Sequence, residues 1–150
     1  MQYRDLGKTG KKASIIGFGA EYLDRKPYER VEEVINRVLE QGINMMDLFM
    51  PGSEVRRNIG QALGSRRKQI QIQGAIGSVD LKVQYDISRN LDTCKRFSES
   101  LLTQLKTDYI EFGMFFFMDT EEALRQIIDN GIVAYAQELK KQGVIHHIGA

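Results

Sequence analysis

With a single cysteine, Cys94, the chain cannot form an internal disulfide, which suits a reducing compartment. It also lacks an excess of charge of either sign. Its 21 Lys and Arg stand against 20 Asp and Glu, so no strong field favours nucleic acid or an anionic membrane as a partner. No uncharged apolar stretch approaches the length needed to span a bilayer. The opening residues Met1-Gln2-Tyr3-Arg4-Asp5 bring charge in early and leave no room for a signal-peptide core. These absences predict a soluble, cytoplasmic protein with neither a nucleic-acid nor a membrane partner. No linker-like or low-complexity segment interrupts the 150 residues. With 42% of them hydrophobic, they suffice for a single domain, 1–150, with a sizeable core.

Two patterns alternate along the chain. A polar start containing Gly7-Lys8-Thr9-Gly10 reads as a hairpin turn, and short apolar runs then begin near Ser14, Asn44, Gln69, Tyr109 and Val144. Helical spacing fills the intervals. Val31, Val34, Ile35, Val38 and Leu39 recur at i, i+3, i+4, i+7 and i+8, with Pro27 near the first turn and Gly42 just past the end. Val55, Ile59, Ala62 and Leu63 form a shorter stripe stopped by Gly64. A third stripe, Ile87, Leu91, Cys94, Phe97, Ser98, Leu101, Leu102 and Leu105, lies behind Asp86. A fourth helical region has Thr120 as its N-cap, breaks at Asn130-Gly131, and resumes through Leu139 to a Gly143 cap.

Strands alternating with helices imply a parallel sheet covered by helices. Two architectures meet that description: an open doubly wound sheet, complete at five strands, and the first part of a (β/α)₈ barrel, which normally takes about 250 residues. In either case ligand and catalytic groups collect at the C-terminal ends of the strands. Asp47 closes the apolar run Gly42-Ile43-Asn44-Met45-Met46-Asp47, which places a carboxylate at such an end and makes it the candidate catalytic residue.

Other features carry less. Gly17-Phe18-Gly19 follows the first run, but a dinucleotide-binding loop would place Gly at position 22, where Tyr22 stands. Glu21, Tyr22, Asp80 and Asp119 flank the expected mouth as loop residues or caps. Cys94 falls on an apolar helical stripe and reads as core. His146 and His147 are adjacent on a strand, point to opposite faces and cannot chelate one metal together. No metal site is expected. The run Phe112, Met114, Phe115, Phe116, Phe117 and Met118 suits a strand covered on both faces.

Six segments, in order and spacing, resemble the aldo-keto reductases. They are Tyr3 to Gly10, Ile16-Gly17-Phe18-Gly19, Gly42-Ile43-Asn44 through Asp47, Ser53-Glu54 with Ile59-Gly60-Gln61-Ala62-Leu63, Thr107-Asp108-Tyr109-Ile110, and Gly143-Val144-Ile145 with Ile148-Gly149. The resemblance covers essentially the whole chain. It implies a partial (β/α)₈ barrel: an N-terminal β-hairpin and roughly the first five of eight parallel strands alternating with helices. It also implies NADPH-linked reduction of a small-molecule carbonyl substrate. In that chemistry hydride passes from the nicotinamide to the carbonyl carbon while a Tyr protonates the oxygen. A Lys paired with an Asp lowers the Tyr pKa, and a His orients the carbonyl.

Set against that pattern, Asp47 matches the Asp. Pro51-Gly52 stands where the family has Tyr-Gly, in a loop one residue shorter. Ala75 takes the place of the Lys and Phe116 that of the His. The resemblance further implies that the loops holding the phosphates of NADP lie past Ala150, so tight NADP binding is not expected of this chain. The expected function is therefore that of an oxidoreductase-like protein with impaired or lost catalysis, or of a non-catalytic binding or assembly module. Two unpaired strand edges would favour a homodimer or pairing with a C-terminal half.

Overall fold

The computed structural model describes residues 1–81 and 84–150. Strands β1 (Tyr3–Asp5) and β2 (Lys12–Ser14) form an antiparallel hairpin whose turn uses Gly7 and Gly10 at positive φ. Then come β3 (Phe18–Gly19), a 3₁₀ turn (Glu21–Leu23), α1 (Tyr28–Glu40), β4 (Met45–Leu48), α2 (Ser53–Leu63), a second 3₁₀ segment (Gly64–Gln69) and β5 (Gln71–Ile76). A second hairpin, β6 (Ser78–Leu81) with β7 (Gln84–Ile87), precedes α3 (Leu91–Leu105). The chain continues through β8 (Ile110–Phe115), α4 (Glu121–Asp129), α5 (Ile132–Lys141) and β9 (Ile145–Gly149).

The helix boundaries follow from local chemistry. Pro27 occupies the N-cap position of α1, where the fixed φ of proline suits helix entry. At its far end Ile43 N–H donates to Val38 C=O at 3.1 Å and Gly42 N–H to Leu39 C=O at 2.9 Å. With Gly42 at φ +73° this is a Schellman turn, which aims the chain into β4. The same pair of bonds recurs after α5, from Val144 to Leu139 and from Gly143 to Lys140, and feeds β9. Thr120 Oγ1 accepts from Ala123 N–H to cap α4, and the break at Asn130-Gly131 falls where expected.

β3, β4, β5, β8 and β9 make one parallel sheet, in that order. Each new strand joins beside the last, with none returning to the other side of β3. A doubly wound sheet reverses direction at a switch point; sequential addition is the winding of a (β/α)₈ barrel, and the barrel reading therefore holds over the open sheet. The core lies between this sheet and the helices, around Val31, Ile35, Leu48, Ile59, Ile72 and Leu105. Gly60 allows the closest helix approach: a Cβ there would sit 2.7 Å from Gln104 O and from Leu105 Cα.

Two sequence expectations need correction. Ile87 is not on the third helix, which begins at Leu91 behind an Asn90 cap whose Oδ1 accepts from Thr93 N–H at 2.9 Å. Ile87 ends β7 instead. The apolar run near Ser14 is also not a strand of the main sheet. Ser14 ends the N-terminal hairpin, Ile15 and Ile16 are exposed, and the first parallel strand is Phe18–Gly19. The hairpin is held to the sheet by Asn44, which accepts from Ser14 N–H at 2.7 Å and donates to Lys12 C=O at 2.9 Å, and by Gln71, which donates to the same carbonyl.

Candidate functional site

Strand alternation sets the geometry around Asp47. On β4, Met46 and Leu48 are buried toward the helices, and Met45 and Asp47 face the other way, half-buried. On β5, Ile72, Gly74 and Ile76 are buried, and Gln71, Gln73 and Ala75 share the half-buried face. Asp47 is in register with Gln73, and Ala75 with Met114 of β8. Phe116 N–H donates to Ile76 C=O just past the end of β8, which extends that pairing by a step.

The sequence-aligned positions therefore converge. Asp47, Ala75 and Phe116 line one cavity of about 230 Å³, together with Phe49, Gln73 and Met114. Pro51 lies outside it, in a neighbouring recess of about 410 Å³ where the loop after β3, the start of α2 and the β6–β7 hairpin meet.

Within the cavity Gln73 Nε2 donates to Asp47 Oδ1 at 3.2 Å. Burial pushes the Asp47 carboxyl above its ordinary value, and the Gln73 bond pulls partly back. Two aromatic rings face the carboxylate end. Phe49 and Phe116 stack with centroids 5.7 Å apart and planes 15° apart, and Tyr85 meets both edge-on at 5.2 and 6.3 Å. Phe117, at φ +49°, is exposed and packs edge-on against Phe116. Arg89 Nη2 donates to the carbonyls of Phe116 and Phe117 at 2.9 and 2.7 Å, pinning this left-handed turn. The aromatic run thus divides: Phe112 is buried, whereas Phe116 and Phe117 lie beyond the strand and shape the mouth.

The recess has a different character. Among the described residues Glu21, Asp24, Glu54 and Asp80 give it four carboxylates, and Arg25 is its one lining cation. Behind it Arg56 is almost fully buried. Its Nε donates to Met50 C=O at 2.8 Å and its Nη1 to Phe97 C=O at 3.1 Å. Burial pushes the Arg56 pKa down to about 10, with Asp80 acting in the opposite sense. Asp80 therefore has a basic neighbour that the sequence did not disclose. Tyr22 and Asp119 are exposed and line neither cavity.

The remaining candidates sit elsewhere. Cys94 is buried in the core, its thiol pKa raised by burial, and its Sγ donates to Ser88 C=O at 3.5 Å. His146 stacks on Tyr109 at 4.9 Å and His147 on Phe112 at 5.4 Å. Among the described residues no three His, Cys, Asp or Glu side chains are grouped to hold a metal ion, and no helix is long and apolar enough to cross a membrane. Arg56 and Arg89, which brace the mouth, had no signal in the sequence because each is tied to a carbonyl of a distant segment, Phe97 for Arg56 and Phe116 and Phe117 for Arg89.

No protein-family profile and no curated protein sequence matches the chain. Solved structures do. A Pseudomonas aeruginosa protein described as an aldo-keto reductase superposes with a TM-score of 0.84 at 22% identity, over 97% of this chain and 58% of its own. An aldo-keto reductase of Bacillus halodurans, in its holo form, gives 0.80 at 27% identity, over 99% of this chain and 49% of its own. The chain spans about half the length of these structures. Its partly built barrel, with Asp47 at a strand end inside it, is similar to the fold of the aldo-keto reductases.

Proposed function

We propose that this chain is an aldo-keto-reductase-like barrel segment in which NADPH-linked carbonyl reduction is impaired and the mouth serves as a binding site. The observation that carries this reading is the partnership of Asp47. Its carboxylate accepts from Gln73, and the walls around the pair are Phe49, Ala75, Met114 and Phe116. Carbonyl reduction needs a donor that polarises the oxygen and a proton for the alkoxide that forms. Among the side chains lining the cavity, Gln73 alone carries N–H groups; one of its two is bonded to Asp47, and an amide N–H is too weak an acid to protonate an alkoxide. Burial raises the Asp47 pKa and the Gln73 bond offsets this in part; in the bond to Gln73 the Asp47 carboxyl accepts rather than donates.

The residues at the mouth do not fit NADPH. A dinucleotide brings a pyrophosphate, and among the described residues the neighbouring recess offers Glu21, Asp24, Glu54 and Asp80 against Arg25. Arg89 and Arg56 are engaged with backbone carbonyls. No step through the nicotinamide follows from these residues. Titrating NADPH into the protein and following its fluorescence tests the reading. We expect no saturable change; saturable binding that competes with NADP would refute it.

A second observation favours an assembly role alongside binding. Among the described residues, β3 and β9 each pair on one side only, so the sheet presents two open edges. We propose that a partner supplies further strands there, either a second copy or a C-terminal half of the same barrel. Sedimentation at micromolar concentration tests this. Association is expected, and a stable monomer that binds no hydrophobic dye would refute it.

A further inference from the structure

The mouth cavity has an uneven distribution of polar function. Gln73 spends an amide N–H on Asp47 Oδ1. Among the described residues, Asp47 Oδ2 and Gln73 Oε1 receive no hydrogen bond, and both atoms are acceptors when Asp47 is ionised. The other lining residues, Phe49, Gly74, Ala75, Met114, Phe115, Phe116 and Ala150, carry no polar side-chain atom apart from the weakly accepting thioether of Met114. Such a site has two acceptor oxygens on one side and apolar surface on the others, and its one uncommitted side-chain donor is the second N–H of Gln73 Nε2.

The wall is also shaped. Phe49 and Phe116 lie nearly parallel, and Tyr85 braces both edge-on. Rings arranged this way present a flat apolar surface on which another ring stacks favourably. A volume of about 230 Å³ falls below the range of roughly 300 to 1,000 Å³ typical for drug-sized ligands, so the cavity suits a compound with one ring.

We infer that the Asp47–Gln73 cavity binds a one-ring aromatic compound bearing N–H donors, such as an amidine or an amino-substituted heterocycle, and discriminates against carbonyl and carboxylate compounds of the same shape. The inference rests on the proposed function, because a site organised for carbonyl reduction would set an acidic donor, not a pair of acceptors, at the carbonyl oxygen. A ligand N–H pair would instead meet Asp47 Oδ2 and Gln73 Oε1, and its ring would lie along Phe116. An aldehyde or carboxylate brings only acceptors: it leaves Asp47 Oδ2 and Gln73 Oε1 without donors, and only the second N–H of Gln73, beside the Asp47 carboxylate, is left for it. The raised Asp47 pKa fits a carboxylate partly stripped of water and short of donors.

Three ligands of similar shape test this on the intact chain: benzamidine, benzaldehyde and benzoate, followed by ligand-observed NMR and calorimetry. Benzamidine should bind and the other two should not. Asp47→Asn, nearly isosteric, should weaken benzamidine at least tenfold, since a charge-assisted pair becomes a neutral one. Ala75→Lys, which places a cation within the same cavity, should abolish binding with a cooperative thermal melt retained. Failure of benzamidine to bind, equal binding of benzoate, or benzamidine affinity unchanged in both variants would overturn the inference; the last would locate the amidine at the carboxylates of the neighbouring recess. None of these outcomes touches the proposed loss of reductase chemistry. NADPH-dependent consumption of benzaldehyde would overturn both.

Discussion

Gln73 Nε2 stands 3.2 Å from Asp47 Oδ1, across a parallel register in which the two residues face each other from neighbouring strands. Among the described residues the side chain bonded to Asp47 is thus a neutral amide rather than a cation. Burial therefore dominates and raises the carboxyl pKa above its ordinary 3.8. A carboxyl that binds its proton more tightly in the fold than in the unfolded chain stabilises the fold below pH 3.8 relative to higher pH. That contribution is lost as the pH rises through the folded value. Asp47→Asn removes the titration. The melting temperature of the variant minus that of the wild type should rise with pH from pH 3 to pH 7, as thermal melts at a series of pH values would show. A difference that falls with pH would mean that a cation pairs with Asp47 in solution.

At the opposite end of the sheet Arg67 and Glu111 form a buried ion pair, Nη2 to Oε2 at 3.0 Å. Glu111 also accepts from Ile72 N–H at 2.7 Å, and Arg67 donates to the carbonyls of Ile70 and Tyr109. Glu111→Ala strands a buried guanidinium and a strand N–H together, so it should lose about 3–5 kcal/mol in urea unfolding. The double variant with Arg67→Met should lose less than the sum of the two single changes, because no unpaired charge remains. A loss under about 1 kcal/mol for Glu111→Ala would show the pair to be solvated.

Gly60→Ala should drive α2 off α3. Its methyl would approach the backbone of Gln104 and Leu105 to 2.7 Å, and backbone cannot swing aside as a side chain can. Overpacking of this kind costs about 1–3 kcal/mol, although alanine alone would favour the helix by about 1 kcal/mol. Chemical denaturation should show net destabilisation, and a more stable variant would place the helices farther apart.

Much of this architecture was legible in the sequence, and the reasons are local. Gly42 and Gly143 end helices because the αL position favours glycine. Thr120 caps α4 through its own hydroxyl. Asp47 lies at a strand end because the run before it is apolar. Alternation by itself left two windings open, and the strand order decided between them. The β6–β7 hairpin was misread because Ile87 falls at helical spacing from Leu91, which hides a strand end behind a helical stripe. The resemblance marked Asp47, Ala75 and Phe116, but the sequence did not disclose the aromatic wall and the arginines around them. Phe49, Tyr85 and Phe116 come from three separate segments, and Arg56, Arg67 and Arg89 are each tied to carbonyls of segments remote in the chain. Such pairings are products of tertiary packing, and no local pattern encodes them.

The central claim is that the barrel mouth keeps Asp47 without the donor chemistry of carbonyl reduction. Loss of a general acid alone typically lowers a rate by about 10²- to 10⁴-fold, and here the lining side chains supply no replacement. The most direct measurement is NADPH absorbance on mixing the protein with NADPH and benzaldehyde. We expect NADPH to disappear no faster than in buffer. A faster rate, abolished by Asp47→Asn, would contradict the account.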